Sequence, residues 1–478
     1  MPMKCIQEKL TAIWNDDHLS EFSNPFCSFL YTLSLFYGAG VRLRNSLYDS
    51  RLFEAKRLPC PVVSVGNITV GGTGKTPMVI LIANMLLRKG RRPVVLSRGY
   101  AAKGKRSLTV VSDGKRILAG PDESGDEPFL IAVSAGGVPV LTGRNRHTAG
   151  MHAIEKLGAD TLVLDDAFQH RQVFRNVNIL LLDAERPFGN GCLLPRGTMR
   201  EPGGALRRAD IIVLTRADEH ASSGLKQKIE RIRPDVPVFI AWHRPVGIVP
   251  LSTLQSRMPF PSSDSLSPDS DSSFPSSDSL SPDSDSSFPS SDSLSPDSDS
   301  SFPPSDSLSP DSDSSFPSSD SLSPDSYSSF PPSSLSFPRR RESTTKKTSI
   351  PDPVRNDNSL SRDGKLYNLD SLKDRRVFAF AGIARPDSFR KSIESLGGKV
   401  AEFRTYPDHH PYTVKDVEDI IRASREMSAD IILTTEKDGV KIYGLGYPVP
   451  DISVLRIEME ILSEKESFEE KIMSGLGK

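Results

Sequence analysis

Cysteine is scarce in this chain. Its 478 residues include four, Cys5, Cys27, Cys60 and Cys192, widely separated and never in a CxxC pair. That spacing excludes a disulfide-built secreted scaffold and a zinc site of linked thiolates, and it fits reduced packing residues in a cytosolic protein. Residues 1–20 contain Asp16 and Asp17 and lack an apolar core, so no secretory leader is expected there. Long apolar runs are also rare. The window 22–41 carries no charge and holds Phe22, Phe26, Phe29 and Phe36, but Asn24, Pro25 and Thr32 interrupt it and Arg42 and Arg44 follow. A spanning helix needs ~20 mostly apolar residues. A helix lying in the membrane surface, basic end toward anionic lipid, fits better. A span and an ordinary buried helix stay open.

One stretch lacks a whole class of charge. Between Arg257 and Arg339 there are fourteen Asp and no Glu, Lys or Arg. The formal net charge of −1 is therefore an average of unlike parts. Without 258–338, the 60 basic residues face 47 acids, a net +13; without 258–363 the balance is +10. The remainder is basic, which suits an anionic ligand or membrane surface. Within the stretch, FPSSDSLSPDSDSS recurs every fourteen residues from Phe260, and the repeats contain no Gly. Such Ser/Asp/Pro sequence cannot bury enough apolar surface to offset the entropy of ordering, so disorder is expected. Proline in every repeat excludes a coiled coil. The absence of Gly argues against calcium-binding repeats.

Elsewhere short β-branched runs alternate with helical patterns. Strands are expected at 61–65, 93–97, 161–164, 177–182, 210–214, 237–241, 376–381 and 430–433, and helices at 78–88, 144–157, 387–396 and 414–426. Near-continuous apolar strands alternating with helices indicate a parallel sheet covered on both faces. Ligands bind such sheets beyond the carboxyl ends of the strands. The first strand runs into Gly71, Gly72, Thr73, Gly74, Lys75 and Thr76, with Pro77 opening a helix. The glycines let backbone N–H groups approach phosphates, Lys75 reaches the β/γ-phosphates, and the Thr76 hydroxyl suits Mg²⁺. The strict GxxxxGK[ST] pattern fails at its first position, where Thr69 stands. A second apolar strand ends at Asp165 and Asp166, either a Walker-B-like metal site or a solvated turn. Asp126 and Glu127 open an apolar helix, and Asp126 reads equally as a helix cap. Asp408-His409-His410 is a weak zinc fragment or an Asp–His proton acceptor.

Together these segments resemble the tetraacyldisaccharide 4'-kinase (lipid A 4'-kinase) family. The matching strings are SVGNITVGGTGKTP (64–77), LSRGY (96–100), SGDEP (124–128), LDDAFQH (164–170), LLPRGTMREP (193–202), LTRAD (214–218), FAGIARPDSF (380–389), YPDHHPYT (406–413) and TTEKDGVK (434–441). The resemblance implies ATP-dependent phosphorylation of the 4'-hydroxyl of a tetraacyl glucosamine disaccharide 1-phosphate, at the cytoplasmic face of the bacterial inner membrane. It implies ATP and Mg²⁺ as cofactors and no nucleic-acid partner. By motif, Gly71 to Thr76 would bind nucleotide, and Thr76, Asp165 and Asp166 would hold the metal. Asp126 would be the base, supported by His409, with Arg200 and Glu201 at the active site. The implied fold is α/β: a P-loop NTPase-like parallel-sheet lobe (51–257) and a smaller C-terminal α/β lobe (364–478). A membrane-associating segment (1–50) precedes them, and the disordered insert (258–363) separates them. Ala167 departs from the expected Gly after the double Asp, and a methyl group there would clash at positive φ.

Two other readings compete: a different P-loop ATPase or GTPase, and a kinase relative inactivated by the insert. Lengthening a connection from ~6 to ~110 residues costs only about 2–3 kcal/mol by the logarithmic loop term. We therefore expect a chain lacking 258–363 and the full chain both to transfer phosphate from ATP to the lipid disaccharide. Activity of the shortened chain alone would show that the insert is not a tolerated loop.

Overall fold

The structure is a computed structural model that describes residues 13–14, 25–99, 107–216, 219–252, 368–447, 452–462 and 464–477. The insert, Tyr100, Ala217 and Asp218 lie outside the described residues. All eight expected strands are present, within a few residues. They are β1 (Val62–Asn67), β2 (Pro93–Ser97), β5 (Thr161–Leu164), β6 (Val177–Asp183), β7 (Ile211–Thr215), β8 (Val238–Pro250), β9 (Arg376–Ala381) and β11 (Ile431–Thr435). Four more were not expected: β3 (Leu108–Ser112), β4 (Val140–Gly143), β10 (Lys399–Thr405) and β12 (Ile452–Ile461). Two of these, Lys399–Thr405 and Ile452–Ile461, are only partly buried and interleave charged residues with apolar ones. They lack the continuous apolar run that marks a strand covered on both faces.

The twelve strands form one sheet in the order β10-β9-β11-β12-β8-β7-β6-β1-β5-β2-β4-β3. It is mostly parallel, with antiparallel pairs at β3/β4 and β12/β8. The second pair runs from Ser453 opposite Pro250 to Ile461 opposite Ala241. The strands on either side of the insert thus share one sheet. Both faces are covered. In β6, Ile179 and Leu181 join one core cluster with Met78, Ile82 and Phe468, while Leu180 and Leu182 join another with Ile68, Phe168 and Leu214. This is the period-2 alternation of a doubly covered strand.

The aromatic window forms helix α1 (Pro25–Asp49), long and apolar enough by length and composition to cross a membrane. Its buried stripe, Cys27, Leu30, Ser34, Gly38 and Val41, has helical spacing. A Cβ on Gly38 would lie 2.7 Å from Leu193 Cδ1, so the helix backbone packs tightly on the 193–202 segment. The other side is apolar and exposed: Phe29 by 58%, Phe36 by 72% and Leu43 by 63%. Helix α2 (Lys75–Arg88) follows the Gly-rich turn, and α3 (Asp126–Ser134) packs against it.

Helix α4 (Lys465–Leu476) closes the sheet near the chain's end, through Phe468, which meets the Phe239 ring edge-on at 5.2 Å. Phe468→Ala would leave a cavity inside the largest core cluster. It should cost about 3–5 kcal/mol, measured by urea denaturation.

Candidate active site

β5 pairs directly with β1, so the Gly-rich turn and the two aspartates leave the same end of the sheet side by side. Gly71 and Gly74 have φ of +114° and +81°, values that strain any residue with a Cβ. Gly74 caps α2 without a side-chain cap bond. The first-turn N–H groups therefore remain for an anion. Thr69 explains the pattern mismatch: it bridges antiparallel to Met199 and is not in the left-handed region, so no glycine is needed. Val70 N donates to Thr198 O at 2.7 Å and Arg200 N to Ile68 O at 2.7 Å. Asn67 Nδ2 donates to Thr73 Oγ1 at 2.9 Å, and Thr215 Oγ1 to Thr73 O at 2.9 Å. The loop is thus braced on several sides.

The two adjacent carboxylates behave differently. Asp165 is 2% exposed; its Oδ2 accepts from Ser97 Oγ at 2.8 Å, while Oδ1 has no hydrogen-bond partner. Burial first, then the charges of Glu127 and Asp166, push its carboxyl up to about 7. Burial also acts on Asp166, but Lys75 and Arg200 outweigh it and hold that carboxyl below its usual range. Arg200 Nη1 donates to both Asp166 oxygens at 2.9 and 3.0 Å, and Lys75 Nζ lies 3.8 Å away. The positive φ falls on Asp166 (+45°), not on the next residue. Ala167 is fully buried, donates its N–H to Val65 O and meets no such clash.

An orphaned, buried carboxylate oxygen beside a braced phosphate loop suits a hard divalent cation. Among the described residues no three acidic, His or Cys side chains form a protein-only metal cage. Mg²⁺ does not require one, since it is commonly held by one or two carboxylates with waters and phosphates.

Glu201, which the resemblance puts at the active site, is fully paired within the protein. Its carboxylate, 0% exposed, accepts from Arg208 Nη2 at 2.6 Å, Arg44 Nη2 at 3.1 Å and Asn45 Nδ2 at 3.2 Å. It therefore clamps α1, while its neighbour Arg200 turns to Asp166. Tyr37 of α1 also donates to Arg200 O at 2.9 Å.

Asp126 stands at the start of α3, but the preceding Gly125, with no side-chain cap bond, is the cap residue. The Asp126 Oδ2 faces His409 Nδ1 at 3.5 Å, from the other side of the insert. His409 has φ of +60°, an uncommon backbone conformation for a residue with a side chain. His410 lies 3.4 Å from Asp416 and stacks on Tyr406, which makes it a packing residue.

Sequence reasoning missed three groups. Ser97 is the hydrogen-bond donor to Asp165. Lys437, in the TTEKDGVK string, lies 2.9 Å from His409 Nε2. Asp183, 4% exposed at its side chain, receives Arg216 at 2.6 Å and Arg385 at 3.0 Å, a second contact across the insert. Ser97 and Lys437 lie in strings named above and Asp183 only directly after an expected strand; the partners of all three depend on three-dimensional neighbours.

A family model described as tetraacyldisaccharide-1-P 4'-kinase matches residues 26–260 and 338–476. The chain belongs to the tetraacyldisaccharide 4'-kinase family. A tetraacyldisaccharide 4'-kinase of Syntrophus aciditrophicus is 36% identical over 98% of each chain. One from Geobacter metallireducens is 30% identical over 91% of this chain and 94% of its own. The crystal structure of "apo" form LpxK from Aquifex aeolicus in complex with ATP superposes with a TM-score of 0.57 and 25% identity. It covers 94% of this chain and 99% of its own length. The family makes the enzyme a phosphotransferase of lipid A biosynthesis that uses ATP.

Removing the Ser97 hydroxyl leaves Asp165 without that donor. Ser97→Ala should weaken divalent-cation binding about tenfold, as supporting hydrogen bonds to metal ligands do. Mn²⁺ titration with a non-hydrolysable nucleotide measures it, and unchanged affinity would count against Asp165 as a ligand.

Proposed function

We propose that this kinase transfers the γ-phosphoryl group of ATP to the 4'-hydroxyl of a tetraacyl glucosamine disaccharide 1-phosphate, with Asp126 as the base. The observation that carries this reading is the 3.5 Å approach of Asp126 Oδ2 to His409 Nδ1, from opposite sides of the insert. A sugar hydroxyl is a poor nucleophile. The Asp126 carboxylate accepts its proton as the oxygen attacks the γ-phosphorus and ADP leaves with the β–γ bridging electrons. Gly71 to Thr76 cradle the phosphates, and the Lys75 ammonium neutralises charge that grows on them. Thr76, Asp165 and Asp166 would hold Mg²⁺, which supplies charge neutralisation across the phosphates when bound. Arg200 holds Asp166 in place for that task.

The acceptor is a lipid. The exposed aromatic side of α1 gives the enzyme a surface for acyl chains or the bilayer boundary, and the basic remainder favours anionic headgroups. On this reading the reaction takes place at the cytoplasmic face of the inner membrane, where ATP is available. Helix α1 then lies on the bilayer, since its other stripe is buried on protein.

The test is ATP-dependent transfer to the tetraacyl disaccharide in vesicles containing phosphatidylglycerol. Asp126→Ala should lower kcat by about 10²–10⁴-fold with little change in ATP affinity, and Lys75→Ala should harm both. Paired Phe29→Ser and Phe36→Ser should reduce vesicle association. Normal turnover by Asp126→Ala would remove it as the base, and full vesicle binding by the paired variant would remove the helix as the docking surface.

A further inference from the structure

Lys437 lies in the first turn of the short helix Glu436–Tyr443 that follows β11, and its ammonium is shared by three groups. It lies 2.9 Å from His409 Nε2, 3.4 Å from Asp408 Oδ1 and 3.6 Å from Glu127 Oε1. Its side chain is 20% exposed. Asp408 Oδ1 also accepts the His409 backbone N–H at 3.1 Å, so one carboxylate ties the lysine to the histidine's own main chain. Glu127 and Asp126 are consecutive on α3. Among the described residues, Asp126 lies on the Nδ1 side of the imidazole and Lys437 on its Nε2 side, with Asp408 on the histidine's main-chain N–H.

An ammonium carries three donors and no acceptor. A ring nitrogen 2.9 Å from it can only present its lone pair. The ring proton must then sit on Nδ1, the nitrogen that faces Asp126 Oδ2 at 3.5 Å. We propose that Lys437 is a positioning residue of the transfer reaction, fixing the Nδ1–H tautomer of His409 so that this proton is aimed at the Asp126 carboxylate. The inference rests on the reading of Asp126 as base and refines what the histidine does. With a cation against Nε2, His409 is not the final acceptor of the substrate's proton. That proton stays on Asp126, and the imidazole orients the carboxylate by donating to it. The 3.5 Å separation is of the kind that shortens when substrate closes a site. Glu127 and Asp408 hold the ammonium in place by balancing its charge.

The experiment uses the full chain in detergent micelles with ¹⁵N-labelled histidine. Long-range ¹H–¹⁵N spectra report which ring nitrogen carries hydrogen, and the resonances lost in His409→Gln identify the residue. The wild-type enzyme should show hydrogen on Nδ1 and a bare Nε2. Lys437→Met should give a mixture of tautomers and a kcat about tenfold lower, with KM for ATP and lipid within about twofold. Lys437→Arg, which keeps a donor-only cation, should restore both the tautomer and most of kcat. Hydrogen on Nε2 in the wild-type enzyme overturns the proposal without any variant having to fold. A Lys437→Met enzyme with wild-type kcat overturns it as well. Full turnover by Asp126→Asn would sink the base assignment separately, while leaving the tautomer measurement to stand or fall on its own.

Discussion

The antiparallel pairing of β12 with β8 is the constraint on which the rest depends. It runs from Ser453–Pro250 to Ile461–Ala241 and joins strands that flank a long interruption in the chain. Through it, β9 and β11 extend the same sheet that carries β1 and β5. The loops at the ends of β9 and β10 can then reach the phosphate-loop side. Contacts across the interruption, among them Asp126 with His409, Glu127 with Lys437 and Asp183 with Arg385, depend on that register. A one-residue slip in β12 would turn each of its side chains to the opposite face.

The site built on this frame separates charge finely. Asp165 and Asp166 are neighbours, yet one carboxyl is raised and the other lowered. The reason is direction. Asp165 points into the sheet, where Ser97 is its hydrogen-bond partner. Asp166, at positive φ, turns out to Lys75 and Arg200. Such a division suits the proposed Mg²⁺ and polyphosphate: Asp165 keeps one oxygen without a hydrogen-bond partner, while Asp166 gathers Lys75 and Arg200 at the same place.

Much of this was legible in the sequence. Continuous apolar runs such as 161–164 and 177–182 gave their strands because burial on both faces leaves no room for alternation. The Gly-rich turn and the double Asp were found because phosphate and metal chemistry restrict residue types. What was missed follows a common physical cause. Lys399–Thr405 mixes Lys, Glu and Arg with Val and Phe, so no local apolar run marks it as a strand. Ser97, Asp183 and Lys437 carry roles set by partners distant in sequence. Glu201 was assigned by its string to the site; its complete burial against Arg44, Asn45 and Arg208 could be known only once α1 was placed.

That burial gives α1 a mechanical meaning. The 198–201 strap bonds to the phosphate loop through Thr198 O, Met199 and Arg200 N, and to α1 through Arg200 O and the Glu201 carboxylate. Breaking one partner of a buried charge pair leaves the other uncompensated, a cost of several kcal/mol. Here Glu201 keeps Arg208 if the helix leaves, so the helix adds the Arg44 and Asn45 bonds to a carboxylate already paired, and the Tyr37 bond to Arg200 O. The same strap positions Arg200 on Asp166. An apolar helix face open to solvent and the carboxylate beside Lys75 are thus two ends of one hydrogen-bonded unit. A displacement of the helix is therefore transmitted through the strap to the Gly-rich loop.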